Sequence, residues 1–396
     1  MTNQPLSGRQ GKALAACYFY YFAILGLLIP YLGVYFSELG FDSLEIGQLM
    51  SILFATRMLA PNLWAYLADR YGQRVRFIQG GSLLAALIFA ISLSNNTFTT
   101  LAWVLFGYTF FWNGILPQLE VVTLASLGKN SHHYGRIRSF GSAGFIALVL
   151  MAGAWFERHG SASLPWIGLG LFALLTLASL WLREPTPAAR PSDQHGSFLA
   201  TLFTPSMVLF LLASTLLQAS YGPYYTFFVL YMADVGVGET LAGVMVALGV
   251  LAEIGLFALA PRLLARFALA DLLLAVALVT ALRWGLTWQM QGSEIGQLCV
   301  QALHGISFGL GHACAIQYIH RSFASHDQGK AQAIYASIAF GLGGAAGAWL
   351  AGVSWHNGSG AAVTWAGAAV AALVAMVILL WFKQQQRLAS ALATSS

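Results

Sequence analysis

The chain has 396 residues, of which 58% are hydrophobic and only 8% charged, with a formal net charge of +5. Soluble domains carry about 25% charged residues, so this composition excludes a water-facing surface and makes lipid the main solvent. The basic balance then reports membrane topology rather than nucleic-acid binding.

A helix crosses a bilayer with about 20 apolar residues. Twelve such stretches succeed one another: 13–36, 45–67, 77–94, 100–126, 138–156, 164–182, 203–232, 240–260, 271–290, 295–320, 332–353 and 361–382. Placing both termini in the cytoplasm puts every Lys and Arg outside the spans on that side except Arg158, as the positive-inside rule expects. Cys17, Cys299 and Cys314 lie in apolar runs, with neither metal-ligand spacing nor a disulfide framework. No cofactor or metal is expected.

In chain order, the first span carries an aromatic cluster, YFYYF (18–22), and the second carries Arg57 twelve residues in. At ~1.5 Å per residue that is near mid-bilayer, where a charge costs roughly 2.5–3.5 kcal/mol on insertion scales and faces a cavity or a partner. Arg57 therefore either braces helix packing or serves function. The second span ends in WAYLADRYGQR (64–74), where Asp69, Arg70 and Arg74 lie near helix ends, able to pair with one another and with helix dipoles. The fourth span contains GILPQLEVVTLA (114–125), with Glu120 toward its cytoplasmic end, and the fifth begins in YGRIRSFGSAGF (134–145), with Arg138. The stretch REPTPAARPSDQHGS (183–197) holds three prolines and mixed charge, a linker composition. It divides a domain at 1–182 from one at 201–396, with 183–200 between them.

The halves repeat. At a shift of 196 residues, VYFSELGF (34–41) falls on LYMADVGV (230–237), pairing Tyr35 with Tyr231, Glu38 with Asp234, Gly40 with Gly236, Gly47 with Gly243 and Arg57 with Glu253. Parallel repeats about an axis normal to the membrane are a transporter signature. In the second half, Tyr221 and Tyr224 flank Gly222-Pro223, where a helix break would expose rings and backbone. Glu253 and Arg283 lie thirteen and twelve residues into their spans. Glu253 is the expected titrating group, because burial and a nearby arginine act on a carboxylate in opposite senses. Arg283 is either its counter-ion or a grip for a substrate carboxylate, a bidentate fork. His304 and His312 share a span; at 100° per residue they point about 80° apart, so only one of them, His304, is expected at the proton site. The glycines Gly343, Gly347 and Gly352 fit small-residue helix packing.

The 64–74 stretch resembles the loop 2–3 signature of the major facilitator superfamily; Asp69, Arg70, Gly72 and Arg74 match it, while the usual opening glycine is Ala65. The resemblance implies an all-α integral membrane fold of twelve transmembrane helices in two pseudo-symmetric six-helix bundles, with Asp69, Arg70 and Arg74 gating their rocking. The chain looks like the phenylpropionate permease group over most of its length, through GVLAEIGLFAL (249–259), ALRWGLTW (281–288) and ALHGISFGLGHACAIQYI (302–319). It is similar, more distantly, to lactose permease and its proton-symporter relatives, in which residues matching Glu120, Arg138 and His304 serve transport. There a proton-releasing glutamate comes three residues after the histidine; here that position is Ser307.

These resemblances imply a proton-coupled importer, not an enzyme, for a small aromatic carboxylate such as 3-phenylpropionate. Substrate would meet Glu120, Arg138, Arg283, Tyr221 and Tyr224, and the proton Glu253 and His304. A sugar or nucleoside symporter is the alternative, motivated by Glu120 and Arg138. The expected partners are substrate, protons and the bilayer, not nucleic acid, and the expected state is a monomer in a bacterial-type inner membrane.

Overall fold

The computed structural model describes residues 8–185 and 198–395, and no strand occurs among them. The linker expected at 183–200 lies mostly outside the described residues. Ten helical segments among them are long and apolar enough to cross a membrane. The helices α2 (Ser43–Tyr71) and α4 (Phe98–Leu127), 29 and 30 residues long, are not among the ten; Arg57 and Asn62 in the first, and Asn113, Gln118 and Glu120 in the second, interrupt their apolar runs. Contacts gather the described residues into two compact units on either side of 186–197, with Gly238–Val244 grouped with the first.

The first unit is built on α1 (Gly8–Glu38), α2, α3 (Arg74–Phe89), α4, α5 (Tyr134–His159) and α6 (Leu164–Ser179). Local chemistry starts and stops these helices. Asp42 caps α2 reciprocally with Glu45, which satisfies two of the donors a helix start leaves open. Gly72, at φ +66°, ends the helix in the left-handed region, and Thr97 caps α4. The core is aromatic: Phe89, Tyr108, Trp112 and Phe172 meet edge to face or tilted, with centroids 5.0–6.2 Å apart. Such pairs contribute about 0.5–1.5 kcal/mol beyond area burial.

The second unit holds the short α7 (Phe198–Leu202), then α8 (Pro205–Ser220), α9 (Gly222–Asp234), most of α10 (Glu239–Arg266), α11 (Leu269–Gln289), α12 (Glu294–Ala302), α13 (Gly311–Ser322), α14 (Gln328–Tyr335), α15 (Gly344–Trp355) and α16 (Ala361–Ser395). Two π-helical stretches, Gly305–Leu310 and Ala336–Gly343, join α12 to α13 and α14 to α15. Pro223 sits at the start of α9, where its missing N–H costs nothing, so α8 and α9 run on from each other with one turn altered. A methyl on Gly222 would fall 2.1 Å from the backbone of Gly347, and one on Gly347 would fall 2.1 Å from the carbonyl of Ala219. The expected small-residue packing is therefore present, and it joins backbone to backbone.

The 196-residue repeat is visible in hydrogen bonds. At the end of α1, the N–H groups of Leu39, Gly40 and Phe41 donate to Tyr35, Ser37 and Phe36. At the end of α9, Val235, Gly236 and Val237 donate to Tyr231, Ala233 and Met232, each shifted by 196. Gly40 and Gly236 have φ of +89° and +85°. This is the six-to-one helix ending that a left-handed glycine permits. Lipid faces carry bare apolar side chains: Trp103 is 70% exposed and Ile295 76%, which in water would favour association and in a bilayer is the solvated state.

Candidate functional site

The best-formed polar cluster lies in the second unit and is assembled from α9, α10, α11, α12 and the adjoining π-helical stretch. Its centre is Arg283, which is 0% exposed. One guanidinium nitrogen, Nη2, donates to Gln301 Oε1 at 2.7 Å. The other, Nη1, meets His304 Nδ1 at 2.9 Å and Ser307 Oγ at 3.4 Å. Nε has no hydrogen-bond partner. The guanidinium lies over the rings of Tyr224, Trp284 and Tyr221, at 4.5, 4.6 and 5.6 Å from their centroids. Desolvated cation–π contacts contribute up to about 2 kcal/mol each, and hydrogen bonds to a charged group about 1.5–3 kcal/mol. Together they outweigh an insertion cost of roughly 2.5–3.5 kcal/mol, which explains how this arginine stays mid-span.

Of the two roles considered for Arg283, direct pairing with Glu253 is not what forms. His304 stands between them, with Nε2 at 3.6 Å from Glu253 Oε2. Behind the arginine runs a second line: Gln301 Nε2 donates to Gln297 Oε1 at 3.4 Å, and Gln297 Nε2 to the carbonyl of Thr287 at 2.5 Å. Ser307 accepts from Tyr221 at 2.9 Å. Nη1 serves two acceptors and Nη2 one, so a bidentate fork built on these two nitrogens requires a partner to leave, while Nε is buried without an acceptor. Gln297 and Gln301, both 0% exposed, escaped the sequence reading; their spacing of four in an otherwise apolar helix was the available signal.

The expected divergence of His304 and His312 is also corrected. The rings of His304 and Phe308 are parallel within 7° at 5.0 Å, and those of Phe308 and His312 within 7° at 6.5 Å. The intervening π-helical stretch adds residues per turn, so positions four apart stand over one another.

In the first unit, Glu120 accepts from Tyr134 at 3.3 Å. Arg138 is close enough for their charges to interact, but its guanidinium lies over Phe22 at 4.0 Å and Tyr18 at 5.6 Å. Tyr134 was not singled out in the sequence, although it opens the same stretch as Arg138. Arg57 lies over Phe54 at 5.3 Å, and Tyr21 is within electrostatic reach of Arg57, Glu120 and Arg138. The 64–74 motif closes on itself within this unit. Arg74 pairs with Asp69 and donates to Gln118 at 2.5 Å, while Glu184 caps the start of α3 by accepting from the N–H groups of Arg74 and Val75 at 3.0 and 2.7 Å. Arg70 is exposed. No group of three or more metal-ligating side chains occurs among the described residues.

Serial membrane-length helices, an internal repeat and ionisable groups buried inside them define a polytopic transport protein, and the chain belongs to the MFS_1 like family, which its residues 12–367 match. It is therefore a multi-pass membrane protein of the major facilitator type. It is 27% identical over 334 residues to the protein of Escherichia coli (strain K12) named "Probable 3-phenylpropionic acid transporter", covering 83% of this chain and 86% of that one. It is 30% identical over 334 residues to the maltose permease of Geobacillus stearothermophilus, covering 82% and 83%. Its fold matches the crystal structure of the nucleoside transporter NupG with a TM-score of 0.82 at 18% identity, covering 94% and 98%. These relatives are named as transporters and permeases, and no catalytic family is indicated. The sequence-level resemblance to the superfamily and to its phenylpropionate group holds.

Proposed function

We propose that this protein is a proton-coupled secondary transporter that imports a small aromatic carboxylate of the 3-phenylpropionate type by alternating access. Twelve spans in two six-helix bundles, divided as 1–182 and 201–396, would rock about a midplane site, with both termini in the cytoplasm of a bacterial inner membrane. The observation that carries the reading is Arg283: a wholly buried guanidinium walled by two tyrosines and a tryptophan and linked through His304 to a carboxylate. A cation inside an aromatic wall suits a ligand that is anionic at one end and flat at the other. Glu253 and His304 hold the coupling proton; Glu120 and Arg138 contact substrate in the first unit; Asp69, Arg70 and Arg74 gate. The name of the relative in Escherichia coli supports this substrate class.

A second reading, a sugar or nucleoside symporter, is favoured by the 30% identity to a maltose permease and by the Glu120–Tyr134 bond, which offers a hydroxyl-binding pair. Uptake of labelled 3-phenylpropionate into proteoliposomes, with and without an inward proton gradient and with maltose and a nucleoside in parallel, separates the two. Gradient-driven accumulation of the acid is the expected result. Accumulation of maltose or the nucleoside alone would transfer the assignment to the second reading.

A further inference from the structure

The chemistry at His304 allows one arrangement of protons. A guanidinium has donors and no acceptor, so Arg283 Nη1 donates to His304 Nδ1, which is a bare lone pair. The ring proton is then on Nε2, facing Glu253. While this bond lasts, His304 has no site for a second proton.

The other acceptors on the guanidinium are anchored from behind. Gln301 is held through Gln297 to the backbone at Thr287, and Ser307 is held by Tyr221. His304 backs onto Glu253, whose side chain is 19% exposed against 7% for His304. Nε has no acceptor but is buried, as is the whole Arg283 side chain, so a carboxylate arriving from the more exposed Glu253 side reaches Arg283 by exchanging with His304. That exchange upsets the charge balance. Without ligand, Arg283 and Glu253 cancel, and a bound carboxylate adds one uncompensated negative charge deep in a span. The freed Nδ1 lone pair then lies beside two carboxylates. The remaining titratable groups facing the ring are the phenols of Tyr221 and Tyr224, each 6.0 Å away by centroid; neither supplies a positive charge.

We infer that a carboxylate substrate binds by displacing His304 from Arg283, and that the displaced histidine takes the coupling proton. The guanidinium N–H exchanges an imidazole nitrogen for a carboxylate oxygen, a proton from water adds to Nδ1, and the imidazolium pairs with Glu253 and the substrate. One anion and one proton travel together. This rests on the carboxylate reading above and adds the event that couples the two.

The test uses the full-length protein in lipid nanodiscs, with 3-phenylpropionate and its neutral amide as probes. Calorimetry in buffers of different ionisation enthalpy counts protons, and nitrogen NMR of labelled histidine reads the ring, with His304→Gln used to assign the signal. Expected are uptake of about one proton per carboxylate bound and none for the amide, and a Kd that rises up to about tenfold per pH unit on the alkaline side. The His304 signal should move from the neutral Nε2–H form to imidazolium. Binding without proton uptake would overturn the switch alone, and calorimetry shows this even if the variant does not fold. Proton uptake with the His304 signal unchanged would also overturn it, placing the proton on Glu253. If no aromatic carboxylate binds, the substrate reading falls and the switch with it.

Discussion

Glu120 and Glu253 are both carboxylates in apolar helices, one in each unit, and their surroundings commit charge differently. Around Glu253 every polar neighbour is engaged: His304, Arg283, Gln301 and Ser307 form one chain, and its one positive and one negative charge balance. Around Glu120 the connections are loose. Its hydrogen bond is to Tyr134, and Arg138, within charge reach of it, rests on aromatic rings. A cluster with both Nη nitrogens of its arginine engaged changes by exchanging a partner, which on the proposed reading makes it a switch. A cluster whose carboxylate is held by one tyrosine has less to break before it adapts to a ligand. On the proposed reading, the same residue types serve coupling in one place and recognition in the other.

The comparison can be broken by mutation, and the largest effect should come from Arg283. A lysine there keeps the charge but loses the planar fork that holds His304 and Gln301 at once, so Arg283→Lys should lower uptake by about a hundredfold or more. Fluorescence-detected size exclusion checks that the variant is folded. Next, Glu253→Gln should abolish accumulation against a gradient while exchange of internal for external substrate continues; retained accumulation would remove Glu253 from coupling. Gln301→Leu leaves one end of a buried guanidinium without its acceptor, a loss of about 1.5–3 kcal/mol, and initial uptake rates should fall roughly tenfold or more.

Glu120→Gln keeps the shape of a loosely held group, and it should raise KM by about threefold to tenfold with the pH profile of uptake retained. If it instead uncoupled transport as Glu253→Gln does, the contrast between the two clusters would collapse. Normal transport would remove Glu120 from the substrate path. The smallest effect belongs to the 64–74 motif. The carboxylate of Asp69 is 60% exposed, and such pairs contribute about 0–1 kcal/mol. Asp69→Asn should therefore leave the melting temperature within about 2 °C of the parent, so that any larger loss of uptake reports gating rather than stability.

Much of the fold was legible in the sequence because the bilayer restricts the choices. Long apolar runs must be helices, since lipid offers no partner for an exposed backbone, and the residues that end α1 and α9 alike, Gly40 and Gly236, announced the repeat. The charges of the site were legible for the same reason: Arg283 and Glu253 stand out where any charge is costly. What α2 and α4 lose in apolarity to Arg57, Asn113 and Glu120 was equally open to inspection.

What only the tertiary structure decided is who holds whom. Composition named Glu253 and Arg283, but the placement of His304 between them depends on three helices meeting at one depth. Gln297 and Gln301 gained meaning only when Arg283 was found in front of them, because an amide in an apolar helix is informative once its partner is known. The parallel column of His304, Phe308 and His312 runs through a π-helical stretch, Gly305–Leu310, that the apolar pattern of the sequence did not announce. Sequence set the charges because burial penalises each one alone. Structure set their wiring because hydrogen bonds are made between helices, at distances that a linear pattern does not contain.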